Sequence, residues 1–216
     1  MDGFPRTVVG GVSLPRMIIG TNWFLGFSHT TSAKDVLIKG MMDRKKVADV
    51  IEVFVRSGID AIMGLIQRPV MHEAVMEAQE RTGRKITVIS TPQLPVGPRT
   101  PAEGLEEGEI AKILDEEARL GAVFCMPHQC TTDALVDRCT REIRRMSEVC
   151  RMTRERGMIP GLSTHMPEAV IYADETGLDV ETYIQIYNSM GFLMQVEVDW
   201  IAKVIQNAKK PVMTIK

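Results

Sequence analysis

No stretch of this 216-residue sequence runs to about 18 apolar residues, the length a bilayer-spanning helix needs, so no membrane span is expected. The N-terminal residues lack the basic, apolar and small-residue layout of a secretory leader, which points to a cytoplasmic protein. Neither sign of charge dominates. Lys and Arg number 26 against 28 Asp and Glu, and a formal net charge of −2 leaves no electrostatic footprint for nucleic acid. The one basic cluster, Arg138, Arg141, Arg144, Arg145, Arg151, Arg154 and Arg156, is interleaved with Asp137, Glu142, Glu148 and Glu155 and reads as a solvated helix face. Cysteine is scarce: Cys125, Cys130, Cys139 and Cys150 form no C-x-x-C pair, so free thiols in a reducing compartment are expected. A Gly-rich phosphate loop and a serine nucleophile elbow are both missing, since Gly161-Leu162-Ser163 lacks the second glycine.

What is present is repetition. Short apolar runs end in polar residues and lead into amphipathic helices, and strand-helix alternation specifies a parallel sheet. A 44% hydrophobic content suffices for one large core, and the 15 methionines suit irregular gaps in it. Thr7 to Pro15, around Gly10-Gly11, predicts a hairpin, and strand one follows over Arg16–Thr21. A long connection through Trp23, His29 and Met42 reaches Asp43, which can cap a helix with Val47, Val50, Ile51, Phe54 and Val55 inward. Later strands are expected over Ala61–Ile66, Ile86–Ser90, Ala122–Met126, Ile159–Ser163, Tyr183–Tyr187 and Val212–Ile215.

Between them lie helices at Pro69–Arg81, around Ile110, Ile113, Leu114 and Ala118, from about Pro167, and over Val198–Asn207. A Pro-rich loop, Pro92 to Pro101, precedes the second of these. One long helix, capped by Thr132 or Asp133, would carry Leu135, Cys139, Ile143, Met146 and Cys150 on a single stripe, with Cys139 and Cys150 as core filler. The expected fold is an α/β TIM-type (β/α)8 barrel with an N-terminal β-hairpin. Residues 1–216 form one barrel domain covering about seven strands and lacking its last strand-helix units.

In such a barrel catalytic groups collect at the C-terminal strand tips. Two runs there end in histidine, Met126-Pro127-His128-Gln129 and Ser163-Thr164-His165, so His128 and His165 are the candidate acid/base or ligating groups. The other rim residues include Asn22, Arg68, Gln93, Gln129 and Lys216, suited to an oxygen-rich ligand, with Arg68 able to clamp an anion and Lys216 able to act as an amine. Glu168, Cys125, Cys130, His72 and Glu73 show no recognised metal-ligand spacing, so no metal is assigned.

At these residues the chain resembles the aldo-keto reductase superfamily. The hairpin leading into Leu14-Pro15-Arg16-Met17-Ile18-Ile19-Gly20-Thr21 is similar to the family's barrel-floor hairpin and first strand. Val123 to His128 resembles the fourth strand with its active-site histidine. Gly161 to Glu168 resembles the fifth-strand Gly-x-Ser-Asn segment, and Tyr187-Asn188 the sixth-strand Tyr-Asn pair. The resemblance implies NADP as cofactor, with Ser163, Thr164 and Asn188 on the cofactor side and a small carbonyl metabolite as substrate. It departs at strand two, where no tyrosine precedes Tyr172, at Lys85, which starts strand three rather than ending it, and at Thr164, which replaces an amide. The family's phosphate-binding loops after strands seven and eight fall outside the sequence. Two rival readings stay open: a redox-free lyase, aldolase or isomerase, metal-assisted through His128 and His165, and a non-catalytic ligand-binding barrel. The partners expected are a small-molecule substrate, with homo-oligomerisation left open, and neither nucleic acid nor membrane.

Overall fold

Gly10 and Gly11 both sit at positive φ, 52° and 79°, as a two-residue hairpin turn of the primed type requires. They join β1 (Arg6–Val9) to β2 (Val12–Pro15), antiparallel with Thr7 opposite Leu14. The computed structural model describes residues 3–96 and 106–216, so the second half of the Pro92 to Pro101 loop lies outside the described residues. The chain sorts into two compact units, Met1–Ser90 with Arg119–Val123, and Thr91–Ala118 with Phe124–Lys216.

In the first unit, β3 (Ile19–Gly20), β4 (Ala61–Gly64) and β5 (Thr87–Ser90) form a parallel ladder, with Ile19 beside Ile62 and Ile62 beside Val88. Gly64 has φ 142°, and a Cβ there would collide with the Thr21 hydroxyl, so glycine is required where β4 ends. The unexpected element is α1 (Ser32–Met41), begun by the Thr31 hydroxyl accepting from the Lys34 amide at 3.2 Å. Its apolar residues turn outward: Val36, Leu37 and Met41 are exposed and Ile38 alone is buried.

Helix α2 (Arg44–Arg56) follows the expectation. Asp43 caps it through the Lys46 amide at 2.9 Å, and Val47, Ile51 and Val55 are buried at helical spacing. Helix α3 (Pro69–Thr82) begins on a proline and ends at Gly83 in the left-handed region. Arg81 on α3 pairs with Asp49 of α2 at 2.6 Å.

The second unit starts with α4 (Glu107–Arg119), whose Ile110 and Leu114 are buried, and β6 (Ala122–Cys125), of which Phe124 and Cys125 belong to this unit. From there a parallel arrangement runs onward. Phe124 pairs with Ile159 of β9 (Ile159–Pro160), Leu162 of β10 (Leu162–Thr164) with Tyr183 of β11 (Tyr183–Ile186), and Tyr183 with Val212 of β12 (Val212–Ile215). Helices α7 (Pro167–Thr176) and α8 (Val198–Asn207) connect the last three strands. Tyr183 donates its hydroxyl to Asp174 of α7 at 2.7 Å, which fixes that helix over β11.

Two expectations are corrected here. The strand expected over Ile159–Ser163 breaks at Gly161, where a Cβ would lie 2.7 Å from Met126 Cε and 2.9 Å from the Thr182 carbonyl. The long helix through Cys139 does not form. Helix α5 (Gln129–Leu135) stops, β7 (Val136–Asp137) and β8 (Glu142–Ile143) make a small antiparallel hairpin, and α6 (Met146–Glu155) begins anew. Asp137 causes the break: its carboxylate accepts from the amides of Cys139 at 2.9 Å and Thr140 at 3.2 Å, a local turn that competes with helix. Cys139 is therefore exposed rather than in the core, while Cys150 is buried as expected. The fold is α/β with parallel strand ladders in each unit, consistent with the expected TIM-type architecture.

Candidate functional site

The tip of β6 is held before any chemistry is considered. His128 donates its backbone N–H to the Pro92 carbonyl at 2.8 Å, and the Thr131 hydroxyl accepts from the Leu94 amide at 3.0 Å. The segment after Thr91 is thereby laced to the start of α5. The cap of α5 is His128 itself, not Thr132 or Asp133, both of which lie inside the helix. Its Nδ1 accepts the Cys130 amide N–H at 3.3 Å and lies 3.1 Å from Cys130 Sγ. An Nδ1 that accepts fixes the neutral tautomer, with the ring proton on Nε2. Desolvation pushes the half-buried Cys130 thiol above its ordinary value.

One turn later stands a residue that the sequence offered only as a helix cap. Asp133 reaches from α5 to the tip of β10, where one carboxylate oxygen accepts the Thr164 hydroxyl at 2.5 Å and the other accepts the His165 amide at 3.2 Å. Burial is the main influence on it and raises its carboxyl to about 6; the Thr164 hydroxyl and the His165 and Met166 amides pull the other way. The Thr164 hydroxyl also accepts from the Met166 amide at 2.9 Å, closing a tight turn into α7. Thus His128, Cys130, Asp133, Thr164 and His165 form one linked set on two neighbouring tips, joined by α5 and by the Ser163 amide donating to the Pro127 carbonyl at 3.3 Å. No sequence motif marks Asp133. Its only signal is a position one turn after His128 on a short helix that opens at a strand tip.

The other anticipated residues fall elsewhere. Ser163 and Thr164 are buried in β10. Asn188 closes its own loop, with Oδ1 accepting from the amides of Met190 and Phe192 and Nδ2 donating to the Phe192 carbonyl at 2.9 Å. Gln129 is half-buried in the first turn of α5, and Gln93 is exposed. Lys216, at the end of β12 with φ 81°, is exposed as a residue, yet partial loss of water holds its ammonium below the usual lysine range. In the first unit Asn22 meets His29 Nε2 at 3.1 Å and Arg68 is an exposed N-cap residue of α3 with no side-chain cap bond.

Glu168 pairs with Arg138 at 3.0 Å. Among the described residues no three His, Cys, Asp or Glu side chains cluster as metal ligands would, and no helix is long and apolar enough to cross a membrane. A buried amide that the motif reading passed over is Gln185 of β11, in register with Thr164, whose Oε1 has no hydrogen-bond partner among the described residues.

By sequence the chain matches no protein-family model and no curated protein. By structure it matches aldo-keto reductases over nearly its full length. A Pseudomonas aeruginosa protein assigned to the aldo-keto reductases superposes with a TM-score of 0.63 at 13% identity, covering 99% of this chain and 79% of its own. An aldo/keto reductase from Brucella melitensis gives 0.57 at 12%, covering 99% and 71%. A glycerol dehydrogenase from Gluconobacter oxydans gives 0.56 at 18%; this chain is covered to 97% and spans 62% of that protein's length. At such identities the likeness is one of fold.

Proposed function

We propose that the chain is an enzyme that binds a small carbonyl compound at the strand tips of the second unit, with His128 as the group that polarises the carbonyl oxygen. The observation that carries this reading is the fixed ring of His128. Its Nδ1 takes the Cys130 amide, so the neutral imidazole presents Nε2–H as a donor at a strand tip. The fold likeness to aldo-keto reductases and a glycerol dehydrogenase supports the substrate class, a small oxygenated metabolite.

A hydride-transfer form of this reading needs a nicotinamide cofactor, NADP by the family resemblance. The residues on that side do not fit it as they stand. Thr164 holds Asp133, Asn188 closes its own loop, and Ser163 is buried. No step is derived through that group. The same three observations favour a second reading, redox-free addition or isomerisation of the carbonyl compound at the same tips. Titrating the protein with NADPH while following Trp23 and Trp200 fluorescence separates the two: saturable quenching supports the oxidoreductase, and a flat titration leaves the redox-free enzyme. Calorimetry with glycolaldehyde tests what both share. Binding that His128→Gln weakens is the expected result, and no heat from either protein removes the proposal.

A further inference from the structure

Cys130 is not an isolated thiol. Its Sγ lies 3.1 Å from Nδ1 of His128, and the same nitrogen accepts the Cys130 amide, the bond by which His128 caps α5. A nucleophile within hydrogen-bond reach of a base is the arrangement that activates a weak nucleophile, and here the ring is oriented by the amide of the nucleophile's own residue. Resting on the reading above that this unit takes a small carbonyl compound, we propose that Cys130 and His128 form a nucleophile–base pair that adds reversibly to an aldehyde, giving a hemithioacetal on Cys130.

The step balances without an oxidant or reductant. The sulfur–carbon bond forms as the carbon–oxygen π bond opens. The Nδ1 lone pair of His128 gives up the Cys130 amide to take the thiol proton, returns that proton to the new alkoxide oxygen and accepts the amide again, so the adduct is neutral and the imidazole ends as it began.

Two influences oppose each other at this thiol. Burial raises Cys130 and outweighs the Thr131 hydroxyl and amide that lower it, so the thiol is held above its ordinary value and its thiolate is disfavoured. A base in contact with the thiol supplies rate through proton removal as the new bond forms, typically by a hundredfold or more for a positioned group. The same chain contains its own control, since Cys139 is exposed, while Cys125 and Cys150 are buried.

The test is alkylation of the whole folded chain by iodoacetamide, with the modification at each cysteine followed by peptide mass spectrometry. Cys130 is expected to react about tenfold or more faster than Cys139, and His128→Gln, whose side-chain oxygen can still accept the Cys130 amide, is expected to bring Cys130 down to or below Cys139. Glycolaldehyde should then protect Cys130 and leave Cys139 unprotected. A Cys130 slower than Cys139 in the unsubstituted protein shows that burial governs the thiol and overturns the proposal without any variant. Fast labelling that glycolaldehyde does not slow also overturns it. In that case the calorimetry described above tells whether the carbonyl-binding reading falls with it: heat of binding without protection preserves that reading, and absence of both removes it.

Discussion

The two ends of the second unit's parallel strands handle charge in opposite ways. Where β9 and β11 start, Arg154 meets Asp179 at 2.5 Å and Glu181 at 2.9 Å, and Lys210 approaches Glu181 at 3.8 Å. These side chains lie largely in water, and each charge has an opposite neighbour. Both partners respond as paired groups do: the Asp179 carboxyl is held below its ordinary value by Arg154, and Arg154 is raised by Asp179 and Glu181. At the tips of β6 and β10 stands Asp133, half-buried, its hydrogen bonds coming from a hydroxyl and an amide. Burial outweighs those bonds and lifts its carboxyl to about 6. The difference teaches where the fold tolerates an electrostatic cost. The starting end is neutralised and serves cohesion, while the tip end retains a half-buried group that takes up a proton near neutral pH, as sites of chemistry do.

Four changes break or sharpen this contrast. The largest effect is expected at the strand that joins the two ends. Gly161→Val would force a side chain into the Thr182 carbonyl and Met126, and should cost about 3 kcal/mol of unfolding free energy in urea titration, disturbing both ends together.

Next is the pH dependence of Asp133. Its folded pKa lies above the unfolded 3.8, so the stability linked to its proton is complete below about pH 4 and lost as pH rises through about 6. Asp133→Asn removes that titration. Relative to the variant, the unsubstituted protein should lose about 2 to 3 kcal/mol between about pH 4 and about pH 7.5, whatever constant offset the amide introduces. Parallel stability profiles for the two proteins would place Asp133 among ordinary carboxylates.

A smaller effect is expected from Thr164→Val. The hydroxyl lowers Asp133, so its removal should move the carboxyl above about 6, visible as an upward shift in its carbon-13 NMR titration, with about 1 to 2 kcal/mol of stability lost. Smallest is Arg154→Ala. An exposed ion-pair network should contribute about 1 kcal/mol or less, and the loss should shrink further in high salt. A larger loss at Arg154 than at Thr164 would reverse the comparison.

Much of the fold was legible from periodicity and punctuation. Asp43 at a cap and Pro69 and Pro167 at first turns mark boundaries by their own backbone chemistry. Helix α8 and strand β12 lie where the pattern put them, Val198–Asn207 and Val212–Ile215. Helix α1 was not read from the sequence, and Ile38 alone of its residues is buried, so burial of an apolar face does not drive it. The stripe through Cys139 misled because a helical period can run across a turn that one carboxylate imposes. The positions of His128 and His165 just past β6 and β10 could be read because each ends an apolar run. Asp133 could not, since nothing within α5 distinguishes it from a solvated aspartate or a cap.

By itself the sequence determined the alternation of strand and helix, the parallel class and the two histidine-bearing tips, because propensity, caps and apolar period act over a few residues at a time. Tertiary structure alone decided that Asp133 would meet the Thr164 hydroxyl and that the Cys130 thiol would lie against His128. It also decided that Thr164 and Asn188 would bond within their own surroundings. Proton affinity depends on what water is removed and which donors arrive, and those come from elements that are separate in sequence until the chain has packed.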